Sequence, residues 1–371
     1  MKSEACRQQI LLLNNFGNTG IGLFGRSLAS NLLARGTEVI LSETQTNPLS
    51  FVRQFVAILR TRRILVANVG LTSWGTSPAR NLLGFLSLSL RAELGRPTVL
   101  LLHNLIEVVD TKGTGYAIGP VAARFAHWAV VGTRKAAICV FSREIANALS
   151  DSYRITVSRC APLPCDSPLG STIPPADPPA IVCFGFLSPY KGVDLFLQAA
   201  KKINAPCRLL IVGQVHSLLH KDSAYQVYVQ HIHDLAKQVN AEFLGFVPDT
   251  DLMGILKRCQ VGVLPYTSTT GTSASFTQLA TAGVPVIATD LPEFQFLAQE
   301  GAGIVLVEPD PSVIAANIRR LLLDRGLRLE LSAKQVSYAA KHSWDELCNW
   351  IEDRGKQFLP RGTAHKISNI A

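Results

Sequence analysis

The sequence predicts an α/β fold made of two doubly wound parallel sheets, and three observations carry that expectation. The first is an opening order of apolar strand, Gly/Asn loop, amphipathic helix and second strand, which implies parallel pairing through a crossover helix. The second is that the same order restarts after a proline-rich stretch in mid-chain. The third is bulk: 371 residues, 47% hydrophobic and 17% charged, suffice for two separate cores and exclude a disordered chain.

In the first half, QQILLLNN (8–15) reads as a buried strand rather than a signal peptide, since an acid and a cysteine precede a short apolar run. The loop FGNTGIG (16–22) follows, then a helix through LFGRSLASNLLARG (23–36) closed by Gly36. TEVILS (37–42), RILVANV (63–69), TVLLLHN (98–104) and AAICVFS (136–142) read as the remaining strands.

CDSPLGSTIPPADPP (165–179) has five prolines and no apolar period, which marks a linker. After it, strands are expected at 180–186, 207–213, 241–247, 261–266 and 284–290. Helices are expected at 193–203, 224–239, 251–259, 275–283 and 312–325. The organisation expected is therefore a Rossmann-like first domain (1–165), a linker (166–179), a Rossmann-like second domain (180–343) and a closing helix (344–371) that returns to the first domain. Open α/β sheets bind ligands at the carboxyl ends of their strands, so a crevice between the two sheets is the expected site.

Composition removes several classes. No run of eighteen uncharged apolar residues occurs, which argues against a membrane-spanning helix. The eight cysteines are scattered without a CxxC pair and read as reduced core residues of a cytoplasmic protein; no His/Cys cluster has zinc-ligand spacing. The net charge of +9 is one-sided: residues 1–172 hold 18 Lys/Arg against 9 Asp/Glu, whereas the rest is balanced at 18 and 18. A basic half suggests an anionic partner. Three basic apolar stretches, 50–63, 81–96 (with Arg91 and Arg96) and 121–135, point to an anionic membrane surface and peripheral attachment at the inner face of the cell membrane. Nucleic acid is not expected, because no basic strand interleaved with aromatics is present.

Two loops of the second half carry chemistry. In Gly185-Phe186-Leu187-Ser188-Pro189-Tyr190-Lys191-Gly192 a strand ends at a glycine and a lysine precedes a helix, so backbone N–H groups and one ammonium could cradle a pyrophosphate. An ordinary loop with a solvated lysine is the alternative. In Thr269-Thr270-Gly271-Thr272-Ser273-Ala274-Ser275-Phe276 small hydroxyl residues lead into a helix, which suits phosphate oxygens and equally suits helix capping by Ser273 or Ser275.

GFLSPYKGVDLFLQAA, LLIVGQ, FLGFVPDTDLMGIL, VGVLPY and QLATAGVPVIATD occur in an order that resembles the group 1-like, retaining GT-B glycosyltransferases of the bacterial mannosyl- and glucosyltransferase type. SYAAKHSWDELCNWIEDR resembles that family's final helices, and GNTGIG, SLASNLLARGTEVIL and LLLHN match more loosely. The resemblance implies a GT-B fold and a nucleoside-diphosphate sugar as donor substrate, with no cofactor and no metal. It places Lys191 on the donor diphosphate and Gly213 in the nucleotide cleft. Phe246 and Val247 would hold the base through their backbone, Thr270, Gly271, Thr272 and Ser273 would face the sugar and distal phosphate, and Gln278 would reach the ribose.

The sequence departs from that pattern at charged positions. The arginine usual after the first motif glycine is Phe186, and the usual pair of glutamates is Thr270 and Gln278, a divergence worth roughly 1.5–3 kcal/mol of donor binding for each lost charge-assisted contact. In the first half, His103-Asn104 stands at a strand end where the family often has His-Asp, near the reacting sugar, which makes His103 with Lys191 the catalytic candidates and His103 and Asn104 the acceptor-side ones. Gly20 and Gly22 occupy the loop where backbone must approach a ligand closely. Their spacing is not a dinucleotide fingerprint, and the second domain lacks a hydride-transfer arrangement, so a dehydrogenase is disfavoured despite Glu43. Asp249-Thr250-Asp251 reads as helix capping rather than a metal motif.

The function expected is transfer of a hexose to a glycan or lipid-linked acceptor in cell-surface polysaccharide or glycolipid synthesis. Two alternatives stay open: a non-catalytic partner subunit, suggested by the missing Arg and Glu residues, and an inverting enzyme using Glu107 or Asp110 as base.

Overall fold

The computed structural model describes residues 9–15, 20–45, 47–70, 73, 78–103, 135–168, 177–215, 222–268 and 271–357. The described residues divide into two compact units, one holding 9–103, 135–161 and 344–357, the other 162–343.

The first unit is a six-stranded parallel sheet of β1 (Gln9–Asn14), β2 (Glu38–Glu43), β3 (Ile64–Val69), β4 (Thr98–Leu102), β5 (Ala137–Val140) and β6 (Arg159–Cys160), in the order β2-β1-β3-β4-β5-β6. Leu11 lies opposite Ile40 on one side and Leu65 on the other, and β3, β4 and β5 are buried throughout, as continuous apolar runs require. The chain goes from β1 outward to β2 and then crosses to β3 on the other side. The topological switch point therefore lies between β1 and β3, and a ligand of such a sheet binds beyond the carboxyl ends there.

Helix α1 (Gly20–Ala34) starts three residues before the expected position, so Gly20 and Gly22 belong to its first turn and not to the loop before it. The left-handed Gly36 (φ 83°) is where the sequence places the stop. Helix α2 (Pro48–Arg60) is capped by Asn47 Oδ1, which accepts from the Leu49 amide at 3.0 Å. It buries Phe51 and Ile58 but leaves Leu49, Val52 and Val56 exposed.

Helix α3 (Pro78–Glu93) corrects one expectation. Arg91 is fully buried, not displayed to an anionic surface. Its guanidinium donates to the carbonyls of Ile58, Thr61, Arg63 and Pro97 at 2.5–3.1 Å. Burial lowers its pKa to about 10, so it stays charged at neutral pH. The basic stretch 121–135 lies outside the described residues except for Lys135, which pairs with Glu93 at 2.5 Å. Helix α4 (Arg143–Tyr153) follows β5, and the last helix, Trp344–Gln357, lies on α1 through Arg35, which meets Asp345 at 2.8 Å and Glu352 at 3.1 Å.

The second unit repeats the plan with β7 (Ala180–Phe184), β8 (Arg208–Val212), β9 (Glu242–Gly245), β10 (Cys259–Leu264), β11 (Val286–Thr289) and β12 (Ile304–Val307), ordered β12-β11-β10-β7-β8-β9. Its switch point lies between β7 and β10. Around it run α5 (Val193–Ala200), α6 (Ser223–Gln238), α7 (Asp249–Leu256), α8 (Ala274–Thr281), α9 (Pro292–Gln299), α10 (Pro311–Leu323) and α11 (Arg325–Lys341). One face of the sheet packs Phe196, Ile314 and Ile318 over Ile181 and Val263; the other packs Phe276, Leu279 and Tyr338 over Val182 and Leu264. β12 was not expected from the sequence. Helix α7 begins at Asp249 with Pro248 in the cap position, so Asp249-Thr250-Asp251 form its first turn rather than the cap expected of them. Of the described cysteines five are buried, while Cys160 is exposed and Cys207 half-buried.

Candidate functional site

The carboxyl ends of β7 and β10 bring together residues that lie far apart in the sequence. After β7 the chain turns at Gly185 (φ 138°), passes Phe186 and enters a 3₁₀ turn, Pro189–Lys191, that ends at the left-handed Gly192. A side chain at Gly192 would overlap the Pro265 carbonyl, which forces the turn against the end of β10. That packing buries Lys191 to 8% exposure.

The Lys191 ammonium donates to the Tyr266 hydroxyl and lies 3.8 Å from the centre of its ring and 5.0 Å from that of Tyr190. Tyr266 Oη is 2.8 Å from Ser273 Oγ. Ser273 in turn caps α8, accepting from the Phe276 amide at 3.3 Å. A cation is thus wired to the start of a helix whose first-turn amides carry partial positive charge. The lysine is not the solvated side chain of an ordinary loop.

The second glycine at this end is Gly213 (φ 152°), just after β8. A Cβ there would fall 1.8 Å from the Gly185 carbonyl oxygen, so only glycine lets the two strand ends approach this closely. Ser275 Oγ lies 2.9 Å from where a Gly185 Cβ would be, next to the Lys191 stem at 3.8 Å. Gly185, Lys191, Gly213, Gly271, Ser273 and Gln278 are therefore all at this unit's strand ends or on α8. Gly271 is buried with φ 84°, and Thr272 and Gln278 are half-buried. Phe246 is two-thirds exposed just after β9, and Val247 packs on the core. Thr270 lies outside the described residues.

Sequence reasoning missed Tyr266 and Glu293. Tyr266 is buried, its hydroxyl pKa is pushed up by burial, and Thr289 Oγ1 donates to its carbonyl at 2.6 Å. Glu293, in the first turn of α9, is 3% exposed. The only signal available was position: Tyr266 closes the run VGVLPY, two residues past the end of β10.

In the first unit, His103 follows β4 and is 6% exposed. Phe24 is edge-on to the imidazole at 4.7 Å and Phe141 lies at 4.8 Å, with Trp344 packed on Phe24 at 5.0 Å. Burial alone lowers the imidazole pKa to about 3, so His103 is neutral. Its Nε2 lies 2.6 Å from Asn68 Oδ1, at the end of β3, and Asn68 reaches Asn14, at the end of β1, at 2.7 Å. Gly22 is buried and its carbonyl accepts from Asn14 Nδ2 at 2.9 Å; Gly20 is exposed. Asn104, Glu107 and Asp110 lie outside the described residues. Among the described residues no three His, Cys, Asp or Glu side chains gather as a metal-ligand set, and no helix is long and apolar enough to cross a membrane.

Residues 178–324 match the family model described as "Glycosyl transferases group 1". The match runs from β7 to α10, under half of the chain, and supports a transferase. No curated protein sequence matches the chain. Among solved structures, Anabaena HepE in complex with UDP-glucose is similar at a TM-score of 0.69 and 16% identity, covering 95% of this chain and 100% of that one. Sucrose-phosphate synthase from Thermosynechococcus elongatus is similar at 0.70 and 17%, covering 95% and 99%. WaaG, a glycosyltransferase involved in lipopolysaccharide biosynthesis, is similar at 0.55 and 14%, covering 92% and 99%. At these identities the likeness shows the fold, which is that of GT-B glycosyltransferases.

Proposed function

We propose that the transferase moves a hexose from a nucleoside-diphosphate sugar to a hydroxyl of a glycan or lipid-linked acceptor, with retention of configuration and without a metal ion. The observation that carries this reading is Lys191, buried at the switch point of the second sheet and linked through Tyr266 to the start of α8. A diphosphate placed there would meet one ammonium and the first-turn amides of α8. Both stabilise the negative charge that grows on the leaving nucleoside diphosphate as the glycosidic bond breaks. HepE, whose structure was solved with UDP-glucose, supports that donor class.

The remaining roles follow the same reading. Gln278 on α8 would offer a neutral hydrogen bond to a ribose, and Phe246 and Val247 backbone contacts to the base. On the first unit, His103 is the candidate for contact with a sugar or acceptor hydroxyl. The exposed Leu49, Val52 and Val56 of α2 are flanked by Arg53, Arg60, Arg62 and Arg63, which suits peripheral attachment to an anionic bilayer at the cytoplasmic face. WaaG supports a place in cell-surface glycan synthesis.

The test is a panel of nucleoside-diphosphate sugars read by thermal stabilisation and nucleotide release. Stabilisation and release with at least one donor are expected; a folded protein that responds to none overturns the reading. A second reading, donor binding without turnover, is favoured by Phe186 and Gln278 standing where the family carries charge. It predicts stabilisation with no nucleotide release.

A further inference from the structure

The first unit contains a chain of neutral polar groups at the ends of three adjacent strands, β1, β3 and β4. Its directionality is determined by chemistry. Asn14 Nδ2 is 2.9 Å from the Gly22 carbonyl, and Asn68 Nδ2 is 2.8 Å from the Ile21 carbonyl. A carbonyl oxygen only accepts, so both amides must present their NH2 groups to α1. Asn68 Nδ2 then also donates to Asn14 Oδ1 at 2.7 Å, and flipping either amide would set like against like. That leaves Asn68 Oδ1 as an acceptor 2.6 Å from His103 Nε2, and the histidine must supply the proton. All three side chains are buried, and a side chain at Gly25 would strike Asn14 Oδ1 at 1.8 Å, so α1 has been kept clear for this chain of bonds.

We propose that Asn68, held in turn by Asn14, is a positioning residue that fixes His103 in the Nε2–H tautomer and leaves Nδ1 as the acceptor for a ligand hydroxyl. No described hydrogen bond occupies Nδ1. Among the described residues, the groups shown against the imidazole are Phe24, Phe141 and Asn68, and none of them carries charge. A neutral, weakly basic imidazole held this way orients a hydroxyl by accepting its hydrogen bond and does not remove its proton. The ligand half of this proposal rests on the transferase reading above; the tautomer half rests on the first unit alone.

The test uses the full chain labelled with ¹⁵N-histidine, the His103 signal being assigned by its loss in His103→Gln. Long-range proton–nitrogen spectra from pH 5 to 8 should show a protonated Nε2 and a bare Nδ1 throughout. A protonated Nδ1, or an imidazolium at pH 7, overturns the proposal without touching donor binding. Asn68→Ala should mix the two tautomers and lower kcat on the order of tenfold, the worth of one oriented hydrogen bond, with donor KM within about twofold. A folded Asn68→Ala protein that keeps both its tautomer and its kcat overturns it as well. Should that variant not fold, the wild-type spectrum alone decides the tautomer. A silent donor panel with the expected spectrum would overturn the transferase reading, and the ligand half with it, and leave the tautomer half standing.

Discussion

The two units place their candidate groups in the same topological position and give them opposite electrostatic characters. At the β7/β10 switch point stands a buried cation, Lys191, on a tyrosine and a helix start. Beside the β1/β3 switch point stand two amides and a neutral imidazole, with burial holding the imidazole uncharged. The contrast teaches that one fold can be tuned for different ligand parts by the residues that follow its strands. A charged cradle suits a diphosphate. A neutral, directional one suits hydroxyls, whose recognition depends on which lone pair faces them.

Four measurements would break or sharpen that contrast. The largest effect is expected from Gly213→Ala, which places a Cβ 1.8 Å from the Gly185 carbonyl at a φ of 152°. About 3 kcal/mol of second-unit stability should be lost, seen as a lower Tm of that unit; an unchanged Tm would show that the strand ends can part freely. Next comes Lys191→Ala, expected to weaken nucleoside-diphosphate binding by roughly 1.5–3 kcal/mol in calorimetric titration. His103→Gln should leave that same affinity within about twofold. If the two variants behave alike, the division of labour between units is wrong.

The third concerns acid. A histidine whose folded pKa lies at about 3, below its ordinary 6.5, stays neutral in the native state while the unfolded chain takes up a proton. Its neutral form therefore supports stability fully above pH 6.5, and the support is lost as pH falls from 6.5 towards 3, by up to about 1.4 kcal/mol per pH unit. Urea unfolding of wild type and His103→Gln from pH 7 to 4 should show a shallower slope for the variant. Parallel slopes would mean the imidazole is solvated. The smallest effect is that of Ser273→Ala, about 1 kcal/mol from the lost α8 cap, measurable as a shift in the urea midpoint.

Much of this was legible in the sequence because it is local. The strand and helix periods gave the doubly wound sheets, and the glycine–lysine spacing of GFLSPYKG pointed to Lys191. What escaped was long-range. Asn14 and Asn68 are 54 positions apart and become partners only because β1 and β3 are neighbours, a sheet order that no local pattern encodes. Tyr266 reads as a core aromatic until Lys191 is brought onto it from 75 positions away. Arg91 was misread for the opposite reason. An arginine on an amphipathic helix is ordinarily surface, and only the carbonyls arriving from the ends of three other segments make its burial tolerable.

Burying Arg91 in this way constrains how the first unit assembles. The guanidinium of Arg91 needs the end of α2, the residues leading into β3 and those leading into β4 at the same moment. An intermediate with α3 docked and any one of these missing would strand a desolvated cation, so partially built forms are penalised more than their lost apolar area would suggest. Amide protons of α2, β3 and β4 should accordingly exchange with solvent as one block, in a single cooperative opening.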